Sequence, residues 1–320
     1  MNRRRVAAAI GAAFLACSTL AAAQTYPAKP IRWVLGFPGG GTSDIIARAL
    51  GQKMGESLGQ QFIIDNRPGA SGIIANQMVA RAPADGYTIL LISSTYANLI
   101  SAQKKLPYEP SELAPVTLIA SVPNILSVHP SLPVTSVKEL VALAKRQPGQ
   151  INYGTGGPGT GPHLASELFK LMTGTDIVHV PYKGTPPAVT DLMAGRVQMM
   201  FALSPVAMPH VKSGKIRPLA VSGAKRMPEL PNLPTVGETV RGYEATTWYG
   251  LLVPRATPRP IIDLLNKELA KAIAVPSVAE QLVAAGFVPE TSTPEGFTKY
   301  MDNEVAKWGK VIKAANIQME

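Results

Sequence analysis

Short runs of β-branched and other apolar residues alternate with helical patterns along most of this chain, and this alternation restricts the fold more than any other feature. Strand-like runs are expected at residues 31–35, 62–65, 88–92, 151–153, 177–182, 197–202, 217–221 and 246–253. Helical patterns are expected at residues 43–58, 71–81, 136–146, 161–172, 186–194 and 258–274. Such alternation is typical of strand–helix–strand units, so the sequence predicts an α/β fold with largely parallel sheets.

The alternation occurs twice, and a proline-rich join at residues 122–136 separates the two occurrences. A second join, at residues 227–250, leads to a helical tail that is too short to form a unit of its own. We therefore expect lobe 1 to contain residues 24–122 and 245–320, and lobe 2 to contain residues 123–244. Two crossover connections would then join the lobes around a central cleft, where the carboxyl ends of strands usually bind ligands.

The first 23 residues are typical of a secretory signal peptide, since three arginines precede an apolar run that ends in three alanines. We expect cleavage after Ala23. Lipidation at Cys17 is an alternative, although the large Phe14 and Leu15 precede it and fit a lipidation signal poorly. Cys17 is the single cysteine of the sequence, so a cleaved chain would contain no disulfide and no thiol nucleophile.

The basic residues are scattered rather than grouped. The formal net charge is +10, and three of these charges belong to the leader arginines, but no block of five or more lysines and arginines occurs. We therefore expect no nucleic-acid partner and interpret the charge as a solvated basic surface that attracts anionic solutes. The four histidines show no metal-binding spacing, so neither a metal nor another cofactor is expected.

Glycine-rich turns follow two of the predicted strands. In "VLGFPGGGTSD" (residues 34–44) three glycines allow a tight turn and expose N–H groups just before a helix, an arrangement that suits a carboxylate or phosphate. Residues 154–161 repeat this arrangement in the second unit and match G-x-G-x-x-G. A dinucleotide site would also need an acidic residue at the end of the next strand, but Tyr182 and Lys183 stand there.

Hydroxyl side chains stand at several other predicted strand ends. Ser93, Ser94 and Thr95 end one strand, Ser204 ends another, and Thr185 follows Gly184 at a third turn. Hydroxyls can bind a carboxylate without the cost of burying a charge. Their shared position at strand ends therefore supports a single polar site in the cleft.

Several segments resemble, in order, the Bug family, the extracytoplasmic solute receptors of tripartite tricarboxylate transporters. They are "YPAKPIRWVLGFPGGGTSDIIARAL", "IIDNRPGASGIIANQMVARAPADGYTILL", "HLASELFK", "VPYKGTPPAVTDLMAGRVQMMF", "LPTVGETVRGYEATTWYGLLVP" and "EVAKWGKVIKAANI". The similarity runs from about residue 26 to residue 317. It implies a type II-like periplasmic binding protein, without catalytic residues, that closes on a small carboxylated solute.

The resemblance also implies which residues bind the ligand. In lobe 1 these are Phe37, Gly40, Gly41, Thr42, Ser93 and Thr95. In lobe 2 they are Gly156, Thr160, His163, Gly184, Thr185 and Ser204, with Trp248 near the cleft at the second crossover. The first loop carries Gly39 where the family commonly has proline. The identity of the solute is therefore not determined, and dicarboxylates, tricarboxylates, aromatic carboxylates and amino acids are all candidates.

The family resemblance further implies a periplasmic monomer whose partners are the membrane subunits of a tripartite tricarboxylate-type transporter. Two alternatives remain at this point. One is an exported α/β hydrolase that uses Ser93 or Ser204 as its nucleophile, which would require a base within hydrogen-bond distance. The other is a ligand sensor that presents its closed form to a different membrane protein.

Overall fold

The computed structural model describes residues 26–102, 105–314 and 317. The predicted signal peptide, residues 1–23 with Cys17, lies outside this part of the chain. Within the described residues, no helix combines the length and the apolar character needed to span a bilayer.

The elements alternate as the sequence predicts, and their bounds are as follows. The strands are β1 (Ile31–Leu35), β2 (Phe62–Asn66), β3 (Thr88–Ser93), β4 (Leu113–Val128), β5 (Asn152–Thr155), β6 (Val178–Pro181), β7 (Met199–Leu203), β8 (Arg217–Val221), β9 (Thr246–Pro254) and β10 (Val288–Pro289). The α-helices are α1 (Thr42–Leu58), α2 (Ile73–Ala80), α3 (Ser94–Ser101), α4 (Val137–Arg146), α5 (Gly161–Thr173), α6 (Thr185–Met193), α7 (Ser204–Lys212), α8 (Arg259–Ala274), α9 (Pro276–Ala284) and α10 (Pro294–Ala314). Short 3₁₀ turns occupy Ala70–Gly72, Pro110–Glu112 and Val236–Glu238.

One curled sheet passes through both lobes in the order β2-β1-β3-β9-β4-β7-β5-β6, with β8 and β10 also paired to β4. Strands β1, β2 and β3 are parallel, as are β5, β6 and β7, whereas β4 and β9 run antiparallel to their neighbours. The α/β prediction is confirmed, although the sheet is mixed. Parallel strands with helical crossovers bring the starts of the helices to one edge of the sheet.

Strand β4 was not among the predicted strands, and it is the element that joins the two lobes. It pairs with β9 from Leu113 to Pro123 and with β7 and β8 from Asn124 to Val128. Prolines within a run argue against a strand, but Pro115 adjoins a register shift and Pro123 lies at the last pair with β9. The proline-rich segment predicted as a join is therefore partly strand.

A buried polar node marks the place where the chain passes between the lobes. The backbone N–H of Asn124 donates to Ser222 Oγ over 2.8 Å, and its side-chain Nδ2 donates to the Ala245 carbonyl over 3.2 Å. The Ser222 hydroxyl also donates to that carbonyl. These three residues belong to the two crossover segments, so the crossovers are tied to each other as well as to lobe 2.

Four apolar clusters hold the helices against the two faces of the sheet. In α1, for example, Ile46, Leu50 and Met54 recur every four residues and are fully buried in lobe 1. The last helix, α10, contributes to both lobes: Phe297 packs edge-on against Trp248, whereas Trp308 lies in the same cluster as lobe 2 side chains. Helix α10 therefore packs against side chains of both lobes.

Candidate functional site

A small cavity lies between the lobes, at the strand ends where the sequence predicts a site. Its volume is about 30 Å³. From lobe 1, the predicted residues that line it are Phe37, Gly41, Thr42, Ser93 and Thr95. From lobe 2, they are Gly156, Thr160 and Thr185. Ser43, Gly161, Thr247 and Tyr249 also line it and were not predicted.

Four helices begin around this cavity, namely α1, α3, α5 and α6, and each points its amino-terminal end toward it. None of the four has a side chain hydrogen-bonded to its first-turn N–H groups. By contrast, α4 lies elsewhere and is capped by Ser136, whose hydroxyl accepts from the Glu139 N–H. Proline has no N–H, so Pro162 in α5 and Pro186 and Pro187 in α6 offer none, and α1 and α3 present the larger number of donors. Uncapped N–H groups and positive helix dipole ends attract anions. Among the described residues that line the cavity, none is charged.

Buried hydroxyls without partners surround the same space. Thr42 and Thr247 are 3% and 2% exposed, and Oγ1 of each makes no hydrogen bond; Ser94 Oγ, close to Gly161, has none either. An unsatisfied buried hydroxyl costs about 1–3 kcal/mol, so the two that line the cavity, those of Thr42 and Thr247, indicate a site built for an acceptor. Tyr249 also lines the cavity, and burial raises the pKa of its phenol.

The remaining hydroxyls of the cavity are partly engaged within the protein. Ser93 Oγ donates to Thr95 Oγ1 over 3.0 Å, which leaves the Thr95 proton free to point into the cavity. Thr160 Oγ1 donates to the Gly157 carbonyl over 2.7 Å and so orders its own loop. Thr95 is therefore the better donor to a ligand.

Gly40 and Gly184 do not offer the amides that the sequence predicts. The Gly40 N–H donates to Asp44 Oδ2 over 3.0 Å, and Gly184 donates to the Gly156 carbonyl over 3.1 Å. Burial alone would raise the pKa of Asp44, but hydrogen bonds from Arg48 and Gly40 outweigh burial and lower it. Asp44 therefore fixes the turn and is not among the residues that line the cavity.

Trp248 also lies away from the cavity, because successive side chains of a strand point to opposite faces. Its neighbours Thr247 and Tyr249 line the cavity, whereas Trp248 is fully buried on the opposite face of β9. Its indole Nε1 donates to Glu304 Oε2 over 3.0 Å. The alternation of side chains along a strand predicts that Trp248 lies on the face opposite to Thr247 and Tyr249. It does not predict which of the two faces meets the cleft.

Ser204 serves the fold instead of the cavity. It is fully buried, and its Oγ donates to the carbonyl of Gly286 over 2.7 Å. Gly286 precedes β10 and is 82 residues away in the sequence. The preceding Leu203 lines the cavity in its place.

His163 lies behind the cavity, where it supports the glycine-rich loop. Its Nδ1 accepts from the Gly159 N–H over 3.1 Å, and its ring stacks on that of His179 with centroids 4.2 Å apart. Thr155 Oγ1 lies 2.7 Å from His179 Nε2. Burial lowers the pKa of His163 to about 3, helped by the charges of His179 and Lys170. Burial likewise lowers the pKa of His179 to about 4.

The two histidines should make the fold sensitive to acid. Both bind protons in the unfolded chain near pH 6.5 and resist protonation in the folded protein, so stability is lost as the pH falls from about 6.5 toward 3. We expect the free energy of unfolding to fall by on the order of 6 kcal/mol between pH 7 and pH 4, about 3 kcal/mol for each histidine, measured by urea denaturation. In His163→Asn the amide oxygen can still accept from Gly159 without titrating, so this loss should be smaller. An equal loss in both proteins would contradict the assignment.

Comparisons with known proteins agree with this architecture. A sequence model described as the Tripartite tricarboxylate transporter family receptor matches residues 46–317. Protein BugT of Bordetella pertussis (strain Tohama I) is 36% identical over 329 residues, which cover 100% of each chain. The structure of R. palustris Rpa4515 with adipate is 41% identical with a TM-score of 0.87, covering 91% of this chain and 99% of that chain. MatC (Rpa3494) from Rhodopseudomonas palustris with bound malate is 27% identical with a TM-score of 0.85, covering 90% and 100%.

The family model begins at residue 46 and so includes the cavity residues from Ser93 onward, and the similarity to BugT extends over the whole chain, including the first turn. The chain belongs to the Bug family, the solute receptors of tripartite tricarboxylate transporters.

Proposed function

We propose that this protein is a periplasmic receptor that captures a small carboxylated solute between its lobes for a tripartite tricarboxylate-type transporter. The observation that carries the proposal is the convergence of four helix starts without side-chain caps and the unpartnered hydroxyls of Thr42 and Thr247 on one cavity whose described lining residues are uncharged. A carboxylate only accepts hydrogen bonds, and this site mainly donates them. Adipate and malate in the structures of two relatives support the same chemical class.

Ligand capture would act through closure of the lobes. Donors from both lobes surround the cavity, so a carboxylate meets all of them only when the lobes are together. Hydrogen bonds join the lobes in this arrangement: Asn98 Nδ2 donates to the Gly159 carbonyl over 2.8 Å, Ser71 Oγ donates to the Pro158 carbonyl over 2.7 Å, and Ser204 Oγ donates to the Gly286 carbonyl. The solute would add its own contacts to these and shift the population toward closure.

The proposal includes export, with cleavage of residues 1–23 after Ala23, and a monomeric mature receptor. Membership of a receptor family and the arginine-led leader both support export. The sensor alternative shares the same binding site and differs only in the membrane protein that reads the closed form.

The hydrolase alternative has no support in the geometry of its two serines. Ser93 donates to Thr95, and Ser204 donates to the Gly286 carbonyl. In the described part of the chain, neither serine is hydrogen-bonded to a histidine or a carboxylate that could act as its base. A receptor without catalysis therefore fits the site better.

Calorimetric titration of the mature protein, residues 24–320, with adipate and malate tests the proposal. We expect a dissociation constant in the micromolar range for at least one acid, equivalent to about −8 kcal/mol. Binding should also raise the melting temperature, because a ligand stabilises by RT ln(1 + [L]/Kd). Matched diamides serve as uncharged controls. If the diamides bind as tightly as the acids, or if no small carboxylate binds, the proposal fails.

Replacing Thr42 by valine should weaken carboxylate binding and, at the same time, make the ligand-free protein more stable. Valine keeps the shape of threonine but removes a hydroxyl that has no partner in the protein. We expect carboxylate affinity to fall about tenfold or more, while the free energy of unfolding without ligand rises by about 1 kcal/mol. Thr190→Val is the matched control, because that hydroxyl is exposed and bonds to its own helix through Pro186. A Thr42→Val protein with unchanged affinity would remove Thr42 from the site.

A further inference from the structure

A second and much larger cavity adjoins the inner one. Its volume is about 850 Å³, and it shares Phe37, Pro38 and Gly156 with the inner cavity. We call it the outer cavity. The inner cavity, at about 30 Å³, has room for one small polar group, whereas the outer cavity is within the range of typical ligand sites.

The partition between the two cavities is a contact between the lobes and not a fixed wall. Pro38 of lobe 1 lies so close to Gly184 of lobe 2 that a Cβ atom on Gly184 would be 2.9 Å from Pro38 Cδ. Phe37 and Gly156 flank this contact from opposite lobes. A small separation of the lobes therefore joins the inner and outer cavities into one elongated space.

A strained loop closes the outer cavity on its far side. Ala70 and Ser71 have φ values of 46° and 52°, which non-glycine residues rarely adopt. In this conformation Ser71 Oγ reaches across the cleft to the Pro158 carbonyl. The loop thus covers the outer cavity and links it to closure of the lobes.

The outer cavity is apolar with a single charge. Ile73, Leu99, Pro68 and Pro158 contribute apolar surface. Lys183 carries the one charge among the described residues that line it, and it makes no ion pair with a described carboxylate. The Tyr182 hydroxyl is already engaged, since it donates to Asp191 Oδ2 over 2.7 Å. The outer cavity is therefore suited to an apolar body that ends in an anion.

We propose that the solute is an elongated dicarboxylate. One carboxylate occupies the inner cavity, an apolar spacer lies in the outer cavity, and the second carboxylate meets Lys183. This inference rests on the proposed function and narrows it, because compact acids such as malate or citrate would leave the apolar surface of the outer cavity unused.

Calorimetric titration with succinate, suberate and octanoate tests the inference on the mature protein. Each buried methylene contributes up to about fourfold in affinity, so suberate should bind at least about tenfold more tightly than succinate. The Lys183→Met variant should lose about two- to fivefold for suberate and nothing for octanoate, which has the same length but no second carboxylate. The exposed Lys212→Met variant is the control and should bind all three acids like the native protein.

The outcomes distinguish this inference from the proposed function. If succinate binds as tightly as suberate, or if Lys183→Met weakens suberate and octanoate equally, the elongated solute is ruled out while the carboxylate receptor stands. If none of the acids binds, both fail. A preference for suberate that the Lys183→Met variant loses supports the inference in full.

Discussion

Alanine in place of Gly161 is expected to weaken solute binding about 10- to 100-fold while the protein remains folded. Gly161 is the first residue of α5 in lobe 2, and a Cβ atom there would overlap Thr247 Oγ1 of lobe 1. The overlap exists only when the lobes are together, so the open form is unaffected and closure is opposed. Calorimetry gives the affinity, and small-angle scattering shows whether the ligand still makes the protein more compact.

Two further variants make this result specific. Gly39→Ala lies in the facing turn, where a new Cβ would be an ordinary 3.8 Å from Asn66 Oδ1, and should bind normally. Adding Thr247→Ala to Gly161→Ala removes the overlapping hydroxyl and should recover part of the closure, although the removed donor will limit the affinity. If Gly161→Ala binds like the native protein, close approach of the lobes at Gly161 is not needed to hold the solute.

Replacing Glu304 by alanine should cause the largest loss of stability. Glu304 Oε2 accepts from the indoles of both Trp248 and Trp308, each over 3.0 Å, and the two rings are 0% and 3% exposed. Removing the acceptor leaves two buried N–H groups without partners, each of which costs about 1–3 kcal/mol. We expect the free energy of unfolding to fall by about 3 kcal/mol in urea denaturation.

The isosteric Glu304→Gln variant tests whether hydrogen bonding is the cause. Glutamine keeps one acceptor oxygen, so it should lose less stability than alanine, by about 1 kcal/mol in total. Glu280→Ala, at an exposed position of α9, should change stability by less than about 0.5 kcal/mol. Equal losses for Glu304→Ala and Glu304→Gln would instead assign the effect to the negative charge.

The parts of the site that could be predicted from the sequence are those that local patterns determine. Glycines and hydroxyls between a strand and a helix indicate a turn with open N–H groups, and Gly41, Thr42 and Thr185 do line the cavity. The exceptions depend on residues far away in the sequence. His163 is engaged with the loop and with His179, and Ser204 with Gly286, so neither side chain was free for a ligand.

The fold shows the same division between local and distant causes. Each lobe repeats a local strand–helix unit, which is why the α/β class could be predicted. Strand β4 depends on partners that lie from 71 residues later in the chain, as in the pair of Val128 with Met199, to 169 residues later, as in the pair of Ala120 with Pro289. Its prolines also argue against a strand, so a local pattern did not predict it. The face chosen by Trp248 likewise depends on helix α10, which packs against it from near the carboxyl end.

The polar node of Asn124, Ser222 and Ala245 is a place where substitutions can change the overall affinity of this receptor without changing which solutes it prefers. Because the node joins both crossovers and its residues do not line the cavity, we expect substitutions in it to change the relative free energies of the open and closed forms. The apparent dissociation constant of such a protein is the intrinsic constant divided by the fraction of molecules ready to bind. Substitutions at this joint can therefore raise or lower affinity for every solute by the same factor, while the choice among solutes stays with the cavities.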